Sequence, residues 1–291
     1  MTRTTPPRPL DIAAVFPELV LLARTAVRLH PREGEPAVFH SSVGGPLLWP
    51  ASEPWPTCES EDQMHSECAA LLVPVAQFYL RDVPELPVPD GSDLLQVLWC
   101  PREGWDAMPQ TQLVWRDSTS VGGDLAEMPP VDPDAEEEYL PKPCLIHPEA
   151  VLEYPAALEL DKTLRDRITA WATQEGHDPV FNDHAYRWSH FYSHNLSVAP
   201  GWKVGGWGHW GVTDPEPLRC DACAAVMVPL LTIDSYEHGE SWTPEEDQEA
   251  MAAGRDNALA FPTGVWIGRG YTMQIYTCPT SSDHGHAQNM Q

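Results

Sequence analysis

The chain has 291 residues, 42% of them hydrophobic, with 43 Asp and Glu against 17 Lys and Arg and a formal net charge of −26. That length supports a self-sufficient core, and that composition excludes wholesale disorder. So acidic a chain lacks the basic footprint of a nucleic-acid binder and is repelled by anionic membrane surfaces, whereas a basic protein is steered towards it.

The N-terminal segment, 1–24, reads as helical. Asp11 is placed to cap a short helix in which Ile12, Val15, Phe16 and Leu19 share a face, limited or kinked by Pro17. The apolar stretch is broken by Pro17 and Glu18 and has no small-residue cleavage site. No run approaches the ~20 apolar residues of a membrane helix. A soluble, cytoplasmic protein is expected. Residues 25–30 alternate as a strand, and 31–70 are loop-like, rich in Pro, Gly and Trp. Strands are predicted over 71–78, 94–100 and 112–116. Residues 117–143 are Pro-rich and acidic, with Asp132, Asp134, Glu136, Glu137 and Glu138 close together, and read as a solvated excursion. This run lacks the spacing and glycine of a calcium loop. The spacing of Leu164, Ile168, Trp171 and Ala172 predicts a helix over 161–174, capped by Asp161 and ended by Gly176. Later strands are predicted over 230–234, 265–267 and 273–277, and a short acidic helix over 244–253. Strands outnumber helices without βαβ alternation, so the expected class is α+β with mainly antiparallel sheet.

Four elements recur in one order. The first half reads Val43-Gly44-Gly45, then Cys58, Val73-Pro74 and Gln96-Val97-Leu98-Trp99-Cys100-Pro101. The second reads Val204-Gly205-Gly206, then Cys220, Val228-Pro229 and Gln274-Ile275-Tyr276-Thr277-Cys278-Pro279. The pattern predicts two internally similar halves, about 25–116 and 196–291, with a pseudo-two-fold relation. They would form a single domain over 25–291, joined by the acidic excursion and a helix. Glycine pairs allow positive φ at a turn, and a strand ending in Cys-Pro stops where proline cannot donate to the ladder.

The chain has seven cysteines, an odd number that argues against a disulfide framework. Cys220-Asp221-Ala222-Cys223 is a C-x-x-C pair, and Cys278 precedes Asp283, His284 and His286. Two thiolates at that spacing reach one tetrahedral ion, and a loop of six residues can fold His284 back beside Cys278. The expected ligand set for a structural zinc is Cys220, Cys223, Cys278 and His284, with His286 as an alternate and Asp283 as a supporting partner. A redox C-x-x-C would need a thioredoxin-like βαβ context, which is absent. Cys58, His65, Cys68 and Cys100 form a partial echo in the first half. There Ser60 and Glu61 stand where the second cysteine of a C-x-x-C would be, so a second site stays open.

No catalytic fingerprint is present. His190 and His194 lack the zincin glutamate, since Phe191 follows His190. His177, Asp183, His184, His190 and His194 read as surface and aromatic-packed residues. Trp49, Trp55, Trp202, Trp207 and Trp210 read either as core or as the lining of a partner groove. The leading expectation is a non-enzymatic binding protein. The alternative is a zinc-dependent hydrolase using the His-rich patch or an open metal position.

Gly44-Gly45-Pro46-Leu47-Leu48-Trp49-Pro50, Pro54-Trp55-Pro56, Pro74-Val75-Ala76-Gln77-Phe78, Asp93-Leu94-Leu95-Gln96 and Lys203-Val204-Gly205-Gly206-Trp207 together resemble the motifs of the YwqG-like family, a domain of unknown function. The addition of Cys220, Cys223, Cys278 and His284 is similar to an actinobacterial subgroup. The resemblance implies an α+β fold with internally similar halves and brings no catalytic residues. Some family members lie near toxin-immunity genes, which implies a partner-binding role, here with a basic protein such as a toxin.

Overall fold

A computed structural model describes residues 2–58, 69–103, 108–178, 188–254 and 257–291. Among these, the strands in chain order are β1 (Arg24–Arg28), β2 (Arg32–Glu33), β3 (Ser42–Val43), β4 (Val73–Tyr79), β5 (Leu94–Glu103) and β6 (Pro109–Arg116). They continue as β7 (Cys144–Leu145), β8 (Glu149–Glu153), β9 (Lys203–Gly205), β10 (Val228–Asp234), β11 (Thr272–Thr277) and β12 (Ala287–Met290). They form two six-stranded antiparallel sheets, ordered β2-β7-β3-β4-β5-β6 and β8-β1-β9-β10-β11-β12. The fold is α+β, with the sheets arranged as two similar halves.

The likeness extends to individual hydrogen bonds. Val-Pro opens both β4 and β10, and in each the pairing with the next strand slips, between Pro74 and Ala76 and between Pro229 and Leu231. Proline has no N–H to continue the ladder, so a bulge forms at the same place twice. Gln96 and Gln274 are fully buried and need partners. Gln96 Nε2 donates to the Leu48 carbonyl at 3.0 Å, and Gln274 Nε2 donates to the His209 carbonyl at 2.7 Å. Leu48 and His209 each stand three residues after the second glycine of their pair. The recurring glutamine therefore fastens the loop that follows each glycine turn.

The correspondence reaches back beyond the sequence repeat. β1 lies between β8 and β9, in the sheet built by the second half, and β7 lies between β2 and β3, in the sheet built by the first. The registers match: Arg28 pairs with Glu149 and Val27 with Ala150, as Leu145 pairs with Arg32 and Cys144 with Glu33. Each half, β1–β6 and β7–β12, lends its first strand to the other's sheet. The glycine pairs sit at these joints. Gly44 has φ +62°, and a Cβ there would come within 2.5 Å of the Pro141 and Lys142 carbonyls that lead into β7.

The largest apolar cluster takes residues from both sheets, among them Val75, Val97, Trp99, Trp202, Val204, Leu231 and Ile275. A second cluster joins the N-terminal segment to the long helix. There α1 (Ile12–Val15), capped by the Asp11 carboxylate on the N–H groups of Ala13 and Ala14, is followed by a 3-10 turn over Pro17–Leu22. Ile12, Phe16 and Leu19 pack with Leu164 and Ile168 of α2 (Lys162–Gln174), which Asp161 caps. The acidic 244–253 stretch forms a 3-10 turn and then α3 (Gln248–Ala252), and α4 (Asn257–Ala260) follows.

Two expectations are corrected. Residues 117–143 are not a free excursion. Leu125 bridges Pro50, the Ala126 N–H donates to the Trp49 carbonyl at 2.8 Å, Asp132 pairs with Arg102 at 3.0 Å, and Tyr139 is buried. Burying Trp49 leaves its backbone needing partners, and this segment supplies them. The stretch 265–267 is apolar because Val265 and Ile267 are core residues, yet it forms no strand. Turning glycines at 264, 268 and 270 limit it to an isolated bridge between Ile267 and Tyr271.

Candidate metal centre

The C-x-x-C pair occupies the tip of a tight hairpin. Arg219 bridges Val226, the Cys220 N–H donates to the Ala225 carbonyl at 2.9 Å, and the Ala224 N–H donates to the Cys220 carbonyl at 2.7 Å. Ala224 takes the left-handed conformation, φ 59°, that closes so short a loop. Cys278 follows directly on β11, and Pro279 ends that strand's ladder. The chain turns back into β12, which pairs with β11 through Tyr276 and Ala287, and this return delivers His284.

These two turns bring four donors together. The sulfurs of Cys220, Cys223 and Cys278 and a ring nitrogen of His284 all lie within 4.8 Å of one another. Cys223 Sγ is 3.5 Å from Cys278 Sγ, and His284 Nδ1 is 3.3 Å from Cys278 Sγ and 3.5 Å from Cys220 Sγ. A disulfide needs sulfurs about 2 Å apart, so this is not one. A tetrahedral ion with metal–sulfur bonds of about 2.3 Å sets its sulfurs about 3.8 Å apart, close to the spacing here. The cluster is able to coordinate a metal ion.

Its electrostatics favour the ligating thiolate at Cys278 and Cys223 and hold Cys220 and His284 towards their protonated forms, so an ion that binds here displaces protons from those two. The Thr280 hydroxyl, 2.9 Å from Cys278 Sγ, holds that thiol down to about 5, with His284 adding to the effect. Thr280 also lowers Cys223, at 3.2 Å, whereas burial raises Cys220. The neighbouring sulfurs of Cys278 and Cys223 raise His284. Metals bind thiolates, and a hydroxyl beside two sulfurs stabilises them. Sequence reasoning missed Thr280. Its only signal was its place directly after Cys278-Pro279.

The other expected residues lie elsewhere. His286 is not among the four clustered donors: His284 still lies in the turn, whereas His286 directly precedes β12, and its Nε2 sits 2.8 Å from Thr111 Oγ1 of β6. Asp283 is exposed, and its N–H donates to Ser281. The five tryptophans do not share a groove. Trp49 and Trp55 pack together at 5.1 Å on the first half, and Trp202 is fully buried in the common core. Trp207 and Trp210 line a cavity of 410 Å³ with Arg24, Glu159 and Tyr276, beside the metal hairpin. Indoles at equivalent sequence motifs are dispersed because each fills its own half. His177 stacks on Phe191 at 4.3 Å and His190 packs on His194 at 4.0 Å, as aromatic neighbours. Asp183, His184, His65 and Cys68 lie outside the described residues.

No family model matches the chain, and no curated protein is significantly similar to it. No helix among the described residues is long and apolar enough to cross a membrane.

Proposed function

We propose that the chain is a non-enzymatic binding protein of the YwqG-like kind, whose second half is pinned by a structural zinc ion and whose partner is a basic protein. The observation that carries the zinc reading is the closed donor set: three sulfurs and one imidazole nitrogen within 4.8 Å. Borderline-soft zinc suits three thiolates and an imidazole, and four protein ligands leave no position for a substrate. Hydrolysis needs an open coordination site, so the geometry favours the scaffold over a zinc hydrolase. The reading places the protein in a reducing cytoplasm, where thiols stay available to metal. A net charge of −26 steers a basic partner, such as a toxin to be neutralised, towards this surface.

The deciding experiment is elemental analysis of the purified protein beside Cys220→Ser and Cys278→Ser, with thermal melting of each. Wild type is expected to carry zinc in this site, and each variant to lose that ion and melt lower. Unchanged metal content and melting temperature would remove the ion from the account. For the partner, capture of a basic protein that dissociates with rising salt is expected. Capture that is insensitive to salt would reject charge steering.

A further inference from the structure

The two halves treat one recurring tryptophan differently. Trp49 and Trp210 each stand four residues after the second glycine of their pair. Trp49 is buried, its Nε1 donates to the Glu53 carbonyl at 3.3 Å, and its ring packs on Trp55. The Arg116 guanidinium lies over that ring, 4.3 Å from its centroid, and donates to both Glu53 carboxylate oxygens at 2.8 and 2.7 Å. The first half therefore covers its own indole with an arginine–glutamate pair. The second half has no such cover. Gln96 pairs with Val114 as Gln274 pairs with Asn289, so the counterpart of Arg116, two residues further on, is Gln291. Gln291 carries no charge, and its Oε1 accepts from the N–H groups of Gly211, Val212 and Thr213. Trp210 instead lines the 410 Å³ cavity beside the metal hairpin, where Met227, Pro229 and Tyr276 add apolar wall. Glu159 and the exposed Glu216 line it too. Trp210 Nε1 and Glu159 Oε2 are buried and have no hydrogen-bond partner among the described residues. Arg24 lies on the Trp207 ring, 3.5 Å from its centroid, and leaves Glu159 Oε2 unbonded. Burial pushes the Glu159 carboxyl up to about 7, while the Ala156 backbone and the Arg24 charge pull it down. A buried carboxylate oxygen without a donor is costly, and a cation entering the cavity removes that cost.

We propose that this cavity is the anchor pocket for one arginine side chain of the basic protein partner, its guanidinium paired with Glu159 and its stem against Trp210 and Tyr276. The inference rests on the basic-partner reading above and gives that partner a place to dock. Charge selects a cation, because two carboxylates line the cavity on a chain of net charge −26. The indole selects guanidinium over ammonium. A planar, weakly hydrated guanidinium stacks on an aromatic face, whereas a lysine ammonium is compact and strongly hydrated. Arg116, Glu53 and Trp49 are the same three groups already assembled inside this chain. Trp210 Nε1 is then left to donate to a carbonyl of the partner's backbone. Arginines seated in aromatic pockets are among the residues that carry most of the binding energy in protein complexes. Leu218, Val226 and Met227 of the cavity wall belong to the hairpin that bears Cys220 and Cys223, so an ion that fixes the hairpin also fixes that wall.

The test uses the full chain and three tripeptides, acetylated and amidated at their ends, with arginine, citrulline or lysine between two glycines. Citrulline keeps the shape of arginine and lacks its charge. Binding is followed at fixed ionic strength by NMR of the indole N–H signals, with Trp210→Phe identifying the signal of Trp210. The arginine peptide is expected to shift that signal and to bind about tenfold more tightly than the citrulline peptide, as one charged hydrogen bond would give. Glu159→Gln keeps the size of the side chain and is expected to abolish the preference without lowering the melting temperature. Should that variant fail to fold, the three peptides on wild type still decide. Equal binding of the arginine and citrulline peptides, an unmoved Trp210 signal, tighter binding of the lysine peptide, or an undiminished preference in folded Glu159→Gln would each overturn the pocket. Salt-sensitive capture of a basic protein, equal in wild type and Glu159→Gln, would also overturn it and leave the basic-partner reading standing. Arginine-selective binding by a chain that captures no basic protein would remove the partner instead.

Discussion

Lys203 and Glu153 are both fully buried, with Nζ 2.6 Å from Oε1. Desolvation consumes much of the attraction in so deep a pair, so its role is positional. Lys203 also donates to the Trp207 carbonyl at 2.9 Å, and Glu153 accepts from the N–H groups of Ala199 and Trp207, both at 2.8 Å. The loop after the second glycine pair is thereby tied to β8. Gly206, φ +73°, is required there because a Cβ would strike the Glu153 carboxylate. Lys203→Met strands a buried charge and is expected to cost about 3–5 kcal/mol in urea melts. Adding Glu153→Gln should recover much of that loss, and a Lys203→Met protein as stable as wild type would contradict the role. Glu237 raises a question of pH. Burial pushes its carboxyl up to about 7, against the pull of the Trp202 N–H, which it accepts at 2.8 Å, and of Arg28. A folded-state value above the unfolded one means the native form holds a proton that the unfolded form releases. The contribution is therefore full below the ordinary carboxylate range and is lost as pH rises through 7. Wild type should lose about 1–3 kcal/mol relative to Glu237→Gln between pH 5 and 8. Parallel stability profiles over that interval would rule this out.

The hairpin at 219–226 has few anchors of its own. Cys220, Leu218 and Met227 pack beside Tyr276 and Cys278, and β12 is an edge strand held by one neighbour. An ion bound by the four donors ties the hairpin, the end of β11 and the return into β12 to one point. Cys223→Ser should therefore raise amide exchange over 219–226 and 279–290 and leave β4 and β5 protected, with a lower melting temperature. Exchange that rises equally in both sheets would argue for global destabilisation instead. The order of these elements was legible because each motif meets a local backbone need: glycine pairs for positive φ, Val-Pro for a bulge, Gln-x-x-x-Cys-Pro for a buried strand that must stop. β2, β3, β7 and β9 were not legible. They span two or three residues, and their pairing partners, up to 179 positions away (Ala26 with Gly205), decide that they are strands. Residues 265–267 were misread because apolar character reports burial and does not report pairing. The ligands were readable since thiol and imidazole chemistry depends on residue type and spacing. Separating His284 from His286 needed the place in space where the turn ends and β12 begins.

Exchange of first strands makes the halves interdependent. β1 is hydrogen-bonded on both sides, by β8 and β9, and β7 by β2 and β3. A half taken alone loses an interior strand from its sheet, opening two raw edges where there was a ladder. It also loses one wall of the apolar core that both sheets share. The covalent link between halves is much less demanding. Met128 and Val131 are exposed, in a stretch between the contacts made by Ala126 and those made by Asp132. Chain cuts are tolerated where backbone is exposed and unpaired. Fragments 1–128 and 129–291, expressed together, should co-purify at equal stoichiometry and melt in one transition, while either alone should be insoluble or unfolded. The second fragment keeps all four of Cys220, Cys223, Cys278 and His284, so zinc alone is available to rescue it. If 129–291 by itself folds cooperatively once zinc is supplied, the metal site and five strands suffice, and the exchanged strand is an accessory. If it folds only when 1–128 is present, sheet completion by β1 is what closes the fold.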